Sequence, residues 1–208
     1  MINVLIVEDE NIVTELFAHY ISNAGDRYRI AGHVRDAANA EVVCARSGVD
    51  LILMDICTAE GSSGIDYAGR IKKKYPGIKI IMITSAPEYS FIERSRRAGA
   101  DSFWYKEAGE RQLIDVMDRT VAGENVWPDS SPEIMLGLAK SSELTAKEKE
   151  VLFYIVMGYS IGEIAEKMFV DYTTTKTHIK HLREKTGARN NAELAVMASK
   201  TRFVLPDY

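Results

Sequence analysis

Asp55 closes the apolar run Leu51–Met54, and Glu8-Asp9 close an earlier one, Val4–Val7. Ile80-Ile81-Met82-Ile83 leads into Thr84, and Phe103-Trp104-Tyr105 leads into Lys106. Three carboxylates, a hydroxyl and a lysine therefore each follow a stretch that reads as a buried strand. In an open parallel sheet the carboxyl ends of the strands line one crevice, where such folds place ligands. Glu8, Asp9 and Asp55 are the oxygen donors magnesium prefers, one or two carboxylates being completed by waters and phosphate oxygens. A carboxylate can also attack phosphorus and form an acyl phosphate. Lys106 would neutralise charge on the phosphoryl oxygens, and Thr84 could donate a hydrogen bond to them. A single acid after a strand is as readily a solvated loop residue; five polar groups at matching strand ends point to one site.

A second chemistry lies near the carboxyl end. A helix expected over about Thr173 to Thr186 carries Lys176, Lys180, Arg183 and Lys185, opposed only by Glu184. Lys176, Thr177 and Lys180 fall at helical spacing on one side, while Ile179, Leu182 and Thr186 would face a core. A basic helix presented this way suits the phosphates and base edges of duplex DNA, although a solvated basic helix is the plainer alternative.

The elements that must hold these groups are legible. Strands are expected over Asn3–Val7, Arg29–Val34, Leu51–Met54, Ile78–Thr84 and Ser102–Tyr105, with amphipathic helical stretches between them. Gly25, Gly48, Gly99 and Gly123 follow these helices at the usual stop position. Five βα repeats imply a parallel sheet covered on both faces. From Val121 the pattern breaks into turn-rich sequence, with a short helix expected from Pro132 to Lys140. Four short helices follow. Thr145-Ala-Lys-Glu148, Ser160-Ile-Gly-Glu163 and Asn190-Asn-Ala-Glu193 each have capping-box spacing, and Asp171 suits the N-cap of the basic helix.

Composition narrows the class. The chain has 208 residues, 46% hydrophobic and 27% charged, with a net charge of −4. From Leu144 onward ten Lys/Arg face eight Asp/Glu, whereas the preceding part holds 16 against 22. An acidic front and a mildly basic back suit different partners. No apolar run approaches the roughly 18 residues of a membrane span, and no signal peptide is evident. A cytoplasmic protein that does not engage membrane is expected. Cys44 and Cys57 lack metal-ligand spacing and read as free thiols.

About residues 1–122 resemble the receiver domain of two-component response regulators, on Glu8-Asp9, Asp55, Thr84, Gly99-Ala100-Asp101 and Lys106. The resemblance implies a doubly wound, flavodoxin-like five-stranded α/β fold. It makes Asp55 the acceptor of a phosphoryl group from a sensor histidine kinase, and Asp9 a magnesium ligand beside Glu8. Thr84 would be the switch hydroxyl, Phe103 the switch aromatic, and the Cys57 backbone carbonyl a further metal ligand. The loop after Asp55 departs from the family: the usual Met-Pro pair is missing, and Gly64 falls nine residues after the aspartate rather than eight. A flexible loop with weakened magnesium affinity is the expectation.

Residues 144–198 resemble the LuxR-type helix-turn-helix, on Leu144-Thr145, Glu148, Val151-Leu152, Gly158, Glu163-Ile164-Ala165, Thr174, Lys176-Thr177-His178, Lys185 and Gly187. This implies a small all-α DNA-binding domain over 144–208, joined through a linker at 123–143. Thr174, Lys176, Thr177, Lys180 and Arg183 are its candidate DNA contacts. Together the two resemblances point to the NarL/FixJ class. The implied function is a DNA-binding transcriptional regulator and not an enzyme, working on promoter DNA as a homodimer when active. The alternative is a phosphorylation-independent regulator whose receiver serves as a dimerisation module. A phosphoaspartate hydrolase is disfavoured, because Cys57 stands where many such enzymes carry a second aspartate.

Overall fold

In a computed structural model the described residues, 1–205, form two compact units. One comprises residues 1–85 and 90–129; the other comprises residues 86–89 and 130–205. The last three residues of the expected 144–208 domain lie outside the described residues.

The first unit holds five strands: β1 (Ile2–Val7), β2 (Tyr28–Val34), β3 (Leu51–Asp55), β4 (Lys79–Thr84) and β5 (Ser102–Tyr105). Their spatial order is β2-β1-β3-β4-β5, and every pairing is parallel. Helices α1 (Asn11–Asn23), α2 (Ala40–Arg46), α3 (Gly64–Lys74) and α4 (Phe91–Ala98) connect the strands, and α5 (Glu110–Val121) follows β5. All five residues of β3 are buried, as continuous apolar sequence in a doubly covered strand requires. The order reverses between β1 and β3, and this switch point is where the carboxyl ends open a crevice. Val7 pairs with Met54, so the next residues, Glu8 just past β1 and Asp55 at the end of β3, lie side by side.

In the second unit lie α6 (Ala146–Val156), α7 (Ile161–Met168), α8 (Tyr172–Thr186) and α9 (Asn191–Lys200) around one apolar core. Capping boxes close the starts of α6 and α7, and the Asp171 side chain caps α8. The third expected box is only half formed. Asn190 accepts the Glu193 N–H, but the Glu193 carboxylate accepts the N–H of Arg189 instead of reaching back to Asn190.

The short helix expected across Pro132–Lys140 is a correction. Residues Met135–Leu136 (β6) and Ala139–Lys140 (β7) form a two-stranded antiparallel ribbon. The residue types favour a helix locally, but the ribbon buries Leu136 and Ala139 in the helical core. Burying a leucine is worth about 2 kcal/mol, which outweighs propensity differences of under about 1 kcal/mol per residue. The stretch expected as linker, 123–143, is divided between the two units. The Phe103 N–H donates to the Val126 carbonyl at 2.9 Å, which ties that stretch to the β5 edge.

Candidate functional site

The strand ends bring Glu8, Asp9, Asp55 and Lys106 together. Carboxylate oxygens of Glu8, Asp9 and Asp55 all lie within 4.8 Å of one another. Lys106 Nζ bridges two of them, 2.7 Å from Glu8 Oε2 and 2.9 Å from Asp55 Oδ2. Glu8 and Asp55 are buried, and Asp9 is half-buried. The Cys57 N–H donates to Asp55 Oδ1 at 3.3 Å, and the Glu10 N–H donates to Glu8 Oε1 at 3.1 Å.

Burial pushes the Asp55 carboxyl above its usual range. Lys106 opposes that rise, and the neighbouring Glu8 charge adds to it. Burial alone would lower the Lys106 ammonium, but Asp55 and Glu8 outweigh it and hold it above its usual value. Three carboxylates around one ammonium leave a surplus of negative charge in a desolvated crevice. Hard divalent cations are bound by such all-oxygen clusters, so the donor set fits magnesium.

Thr84 is buried at the end of β4, next to β3, where Asp55 pairs with Ile83. Phe103 is buried three residues before Lys106, its ring 5.0 Å from Tyr105 and 6.2 Å from Trp127.

The loop after Asp55 is tied down more firmly than expected. Thr58 is buried; its hydroxyl donates to the Ser62 carbonyl at 2.7 Å and accepts the Ala37 N–H at 3.2 Å. The Ala59 N–H donates to the Arg35 carbonyl, and Cys57 forms an antiparallel bridge with Ser63. The extra residue is absorbed in a single 3-10 turn, Ala59–Gly61. Gly64 then returns against the strand end: its N–H donates to the Ile56 carbonyl at 2.9 Å, and a Cβ there would lie 1.9 Å from the Asp55 carbonyl oxygen. The loop expected to be flexible thus has fixed partners on both sides. The hydroxyl of Thr58 does the stitching, and nothing in its local sequence advertised that partner.

In the second unit, Lys176, Thr177 and Lys180 are exposed on α8, opposite the buried Thr175, Ile179, Leu182 and Thr186. The hydroxyls of Thr175 and Thr186 donate to the carbonyls of Asp171 and Leu182, which is how two threonines fit an apolar core. Thr174 is engaged by the cap: its N–H and its hydroxyl both donate to the Asp171 carboxylate, at 2.9 and 2.7 Å. The Arg183 guanidinium is turned toward the carbonyls of Ala188 and Arg189. Of the five candidate contacts, Lys176, Thr177, Lys180 and Arg183 are exposed and Thr174 is half-buried; the Thr177 hydroxyl also donates to the Thr173 carbonyl, and Lys180 lies 3.6 Å from Glu184. Sequence reasoning missed the partner of Glu148: Lys185 Nζ lies 2.7 Å from its carboxylate, 37 residues along the chain.

No helix among the described residues is long and apolar enough to cross a membrane. Residues 4–118 match the model of the response regulator receiver domain, and residues 142–198 match that of bacterial regulatory proteins of the luxR family. The response regulator protein VraR of Staphylococcus aureus is 30% identical over 211 aligned residues, covering 98% of this chain and 99% of the relative. RcsB from Salmonella enterica serovar Typhimurium, solved bound to a promoter in the presence of a phosphomimetic, aligns with a TM-score of 0.63 at 20% identity, over 96% of this chain and 98% of that one. A structure of two RcsB dimers on two parallel DNAs aligns at 0.66 and 20%, over 95% and 98%. A parallel five-stranded receiver sheet, an acidic cluster at its switch point and a LuxR-type helical domain on one chain are thus matched over nearly the whole sequence: this protein belongs to the two-component response regulators with a LuxR-type DNA-binding domain.

Proposed function

We propose that Asp55 is the phosphoryl acceptor of a cytoplasmic response regulator and that α8 is the helix it applies to promoter DNA. The observation that carries this reading is the crevice itself, where Lys106 touches both Glu8 and Asp55 and three carboxylates lie within 4.8 Å. Asp55 Oδ attacks the phosphorus of a sensor kinase's phosphohistidine. The P–N bond breaks, its electron pair stays with the imidazole, and an acyl phosphate remains on Asp55. Glu8, Asp9, Asp55 and the Cys57 carbonyl would hold magnesium, which supplies neutralising charge to the phosphoryl oxygens. Lys106 contributes a fixed positive charge at the same place, and Thr84 a hydroxyl one strand away. Because burial disfavours the Asp55 carboxylate, the nearby positive charge is what keeps the nucleophile ionised.

Phosphorylation adds about −1.5 to −2 charges to the crevice. Thr84 and Phe103 are the groups on the neighbouring strands that would register it. The modified chain acts as a homodimer, since one short recognition helix reads few bases and two-fold pairing is the usual remedy. Lys176, Thr177 and Lys180 face the DNA, with Thr174 and Arg183 shaping the two ends of the helix. The RcsB structures, solved on DNA and as dimers, support this reading by their fold. Mass spectrometry after acetyl phosphate and magnesium tests it: one added phosphoryl group is expected, lost in Asp55→Asn. Equal labelling of that variant would sink the assignment.

A further inference from the structure

The last turn of α8 is gripped by the chain that leads into the helical unit. The ribbon β6–β7 turns through Gly137-Leu138, and the Leu138 N–H donates to the Thr186 carbonyl at 3.0 Å. That carbonyl is one of four that a helix end leaves without an intrahelical donor. Gly137 has a φ of +63°, and a Cβ there would lie 2.1 Å from the Thr186 oxygen and 3.2 Å from Met197 Sδ. The nearer obstacle is backbone, which cannot swing aside. One residue earlier in α8, Lys185 Nζ lies 3.0 Å from the Glu143 carbonyl and 2.7 Å from Glu148 Oε2. The base of the ribbon is itself closed. Ser141 donates its N–H to the Ile134 carbonyl at 2.8 Å, Ile134 returns its own N–H to Ser141 Oγ at 3.1 Å, and Lys140 pairs with Glu133.

α8 lies on the core through Thr175, Ile179, Leu182 and Thr186, and its last turn carries this second hold, so the ribbon can bias the angle at which the helix lies. α8 has 15 residues, about 22 Å at 1.5 Å per residue. A tilt of roughly 10° about its last turn would carry its first turn by about 4 Å, given that length, and a hydrogen bond to a base edge does not survive such a shift. The first turns are the part that a helix-turn-helix inserts into the groove. We propose that the 135–140 ribbon is a clamp that sets the angle of α8 on DNA, and that Gly137 is the positioning residue that lets it seat. The inference rests on α8 being the DNA-reading helix. Lys176 and Lys180 have long side chains that reach phosphates from several helix angles, whereas base contacts do not tolerate them. Release of the clamp therefore removes specificity before general affinity.

The test uses the full chain and two probes: a duplex enriched from a random library by the wild-type protein, and a scrambled duplex of the same composition. Titrations are run at a temperature where wild type and variant are equally helical by circular dichroism. Gly137→Ala is expected to lower the ratio of enriched to scrambled affinity at least tenfold, with scrambled affinity and its salt slope unchanged. A merely structural role would lower both affinities together with the folded fraction. Met135→Ser, on the exposed side of the ribbon, should keep the wild-type ratio. Hydrogen exchange on the wild type covers the case in which Gly137→Ala does not fold: the Leu138 amide should exchange at least tenfold more slowly on the enriched duplex than on the scrambled one. An unchanged ratio, or equal Leu138 exchange on the two duplexes, overturns the clamp. A wild-type chain that enriches no duplex overturns the DNA reading, and the clamp with it.

Discussion

Each unit of this protein sets a lysine against a buried carboxylate, and the two pairs are built to opposite ends. In the helical unit Lys185 meets Glu148, whose side chain is 3% exposed. Burial would raise the Glu148 carboxyl, but hydrogen bonds from Lys185 and Thr145 outweigh it and hold it below the usual carboxylate range. One charge meets one charge, and the remaining lone pairs serve a capping box. In the receiver, Lys106 meets Glu8 and Asp55 with Asp9 close by, and burial lifts Asp55 above its usual range. The first pair is complete and serves structure. The second is short of positive charge, and that shortage is the physical mark of a site awaiting a cation or a reaction.

Substitutions should separate the two pairs by sign. Glu148→Gln breaks a satisfied, partly buried pair and is expected to cost the helical unit about 2 kcal/mol. Asp55→Asn removes one of several crowded charges and is expected to stabilise the metal-free receiver by about 1 kcal/mol. Trp104 and Trp127 are the only tryptophans and both lie in the first unit, so their fluorescence during urea melts follows the receiver alone, while hydrogen exchange follows α6 and α8. The contrast collapses if both substitutions destabilise.

Acid should widen the same contrast. The folded pKa of Glu148 is lowered, so its contribution is present above the usual value of about 4.3 and is lost as pH falls through the lower folded value. The folded pKa of Asp55 is raised, so its ionisation penalises the folded receiver at neutral pH. That penalty is relieved as pH falls from the raised value toward the usual value of about 3.9. Hydrogen exchange across pH 7 to 3 should therefore show the α6–α8 amides losing protection to Glu148 protonation, a loss absent in Glu148→Gln. The metal-free receiver should lose less in wild type than in Asp55→Asn. Parallel profiles in the two units would remove the distinction.

Smaller effects sharpen it. Lys176→Ala and Lys180→Ala should each reduce the slope of log affinity against log salt by about 1 if the lysine touches phosphate. If it reads a base edge, discrimination should fall by about 1–3 kcal/mol at one position. Unchanged binding in both variants would mean that another surface meets the DNA. In the receiver, Thr58→Ala removes the stitch that holds the loop beside Asp55 and should weaken magnesium binding by a few-fold, through roughly 1 kcal/mol of lost hydrogen bonding. A Trp104 fluorescence titration would measure it, and an unchanged affinity would show that the loop is ordered without Thr58.

Much of this architecture was legible in local sequence. The apolar runs ending in Asp55, Thr84 and Lys106 marked strands and crevice together, because a doubly covered parallel strand must be apolar throughout and can turn polar only where it leaves the sheet. Capping spacings located α6, α7 and α8 for a similar reason: the unpaired N–H groups of a helix start need a partner within three residues. Contacts decided across the fold were not legible. The Pro132–Lys140 stretch has helix-forming residues, yet it forms a ribbon, because only the assembled core offers a place for Leu136 and Ala139 and only the end of α8 offers a carbonyl to Leu138. The loop after Asp55 read as flexible by its glycines and serines; its order comes from Thr58 meeting Ala37 and Ser62, and from Gly64 fitting against the Asp55 backbone. Sequence by itself determined which groups could do chemistry and which element each would end. Tertiary structure alone decided how many charges share one buried space, because distances between residues tens of positions apart depend on packing, and packing is what turned Lys185 into a brace and left Asp55 in excess.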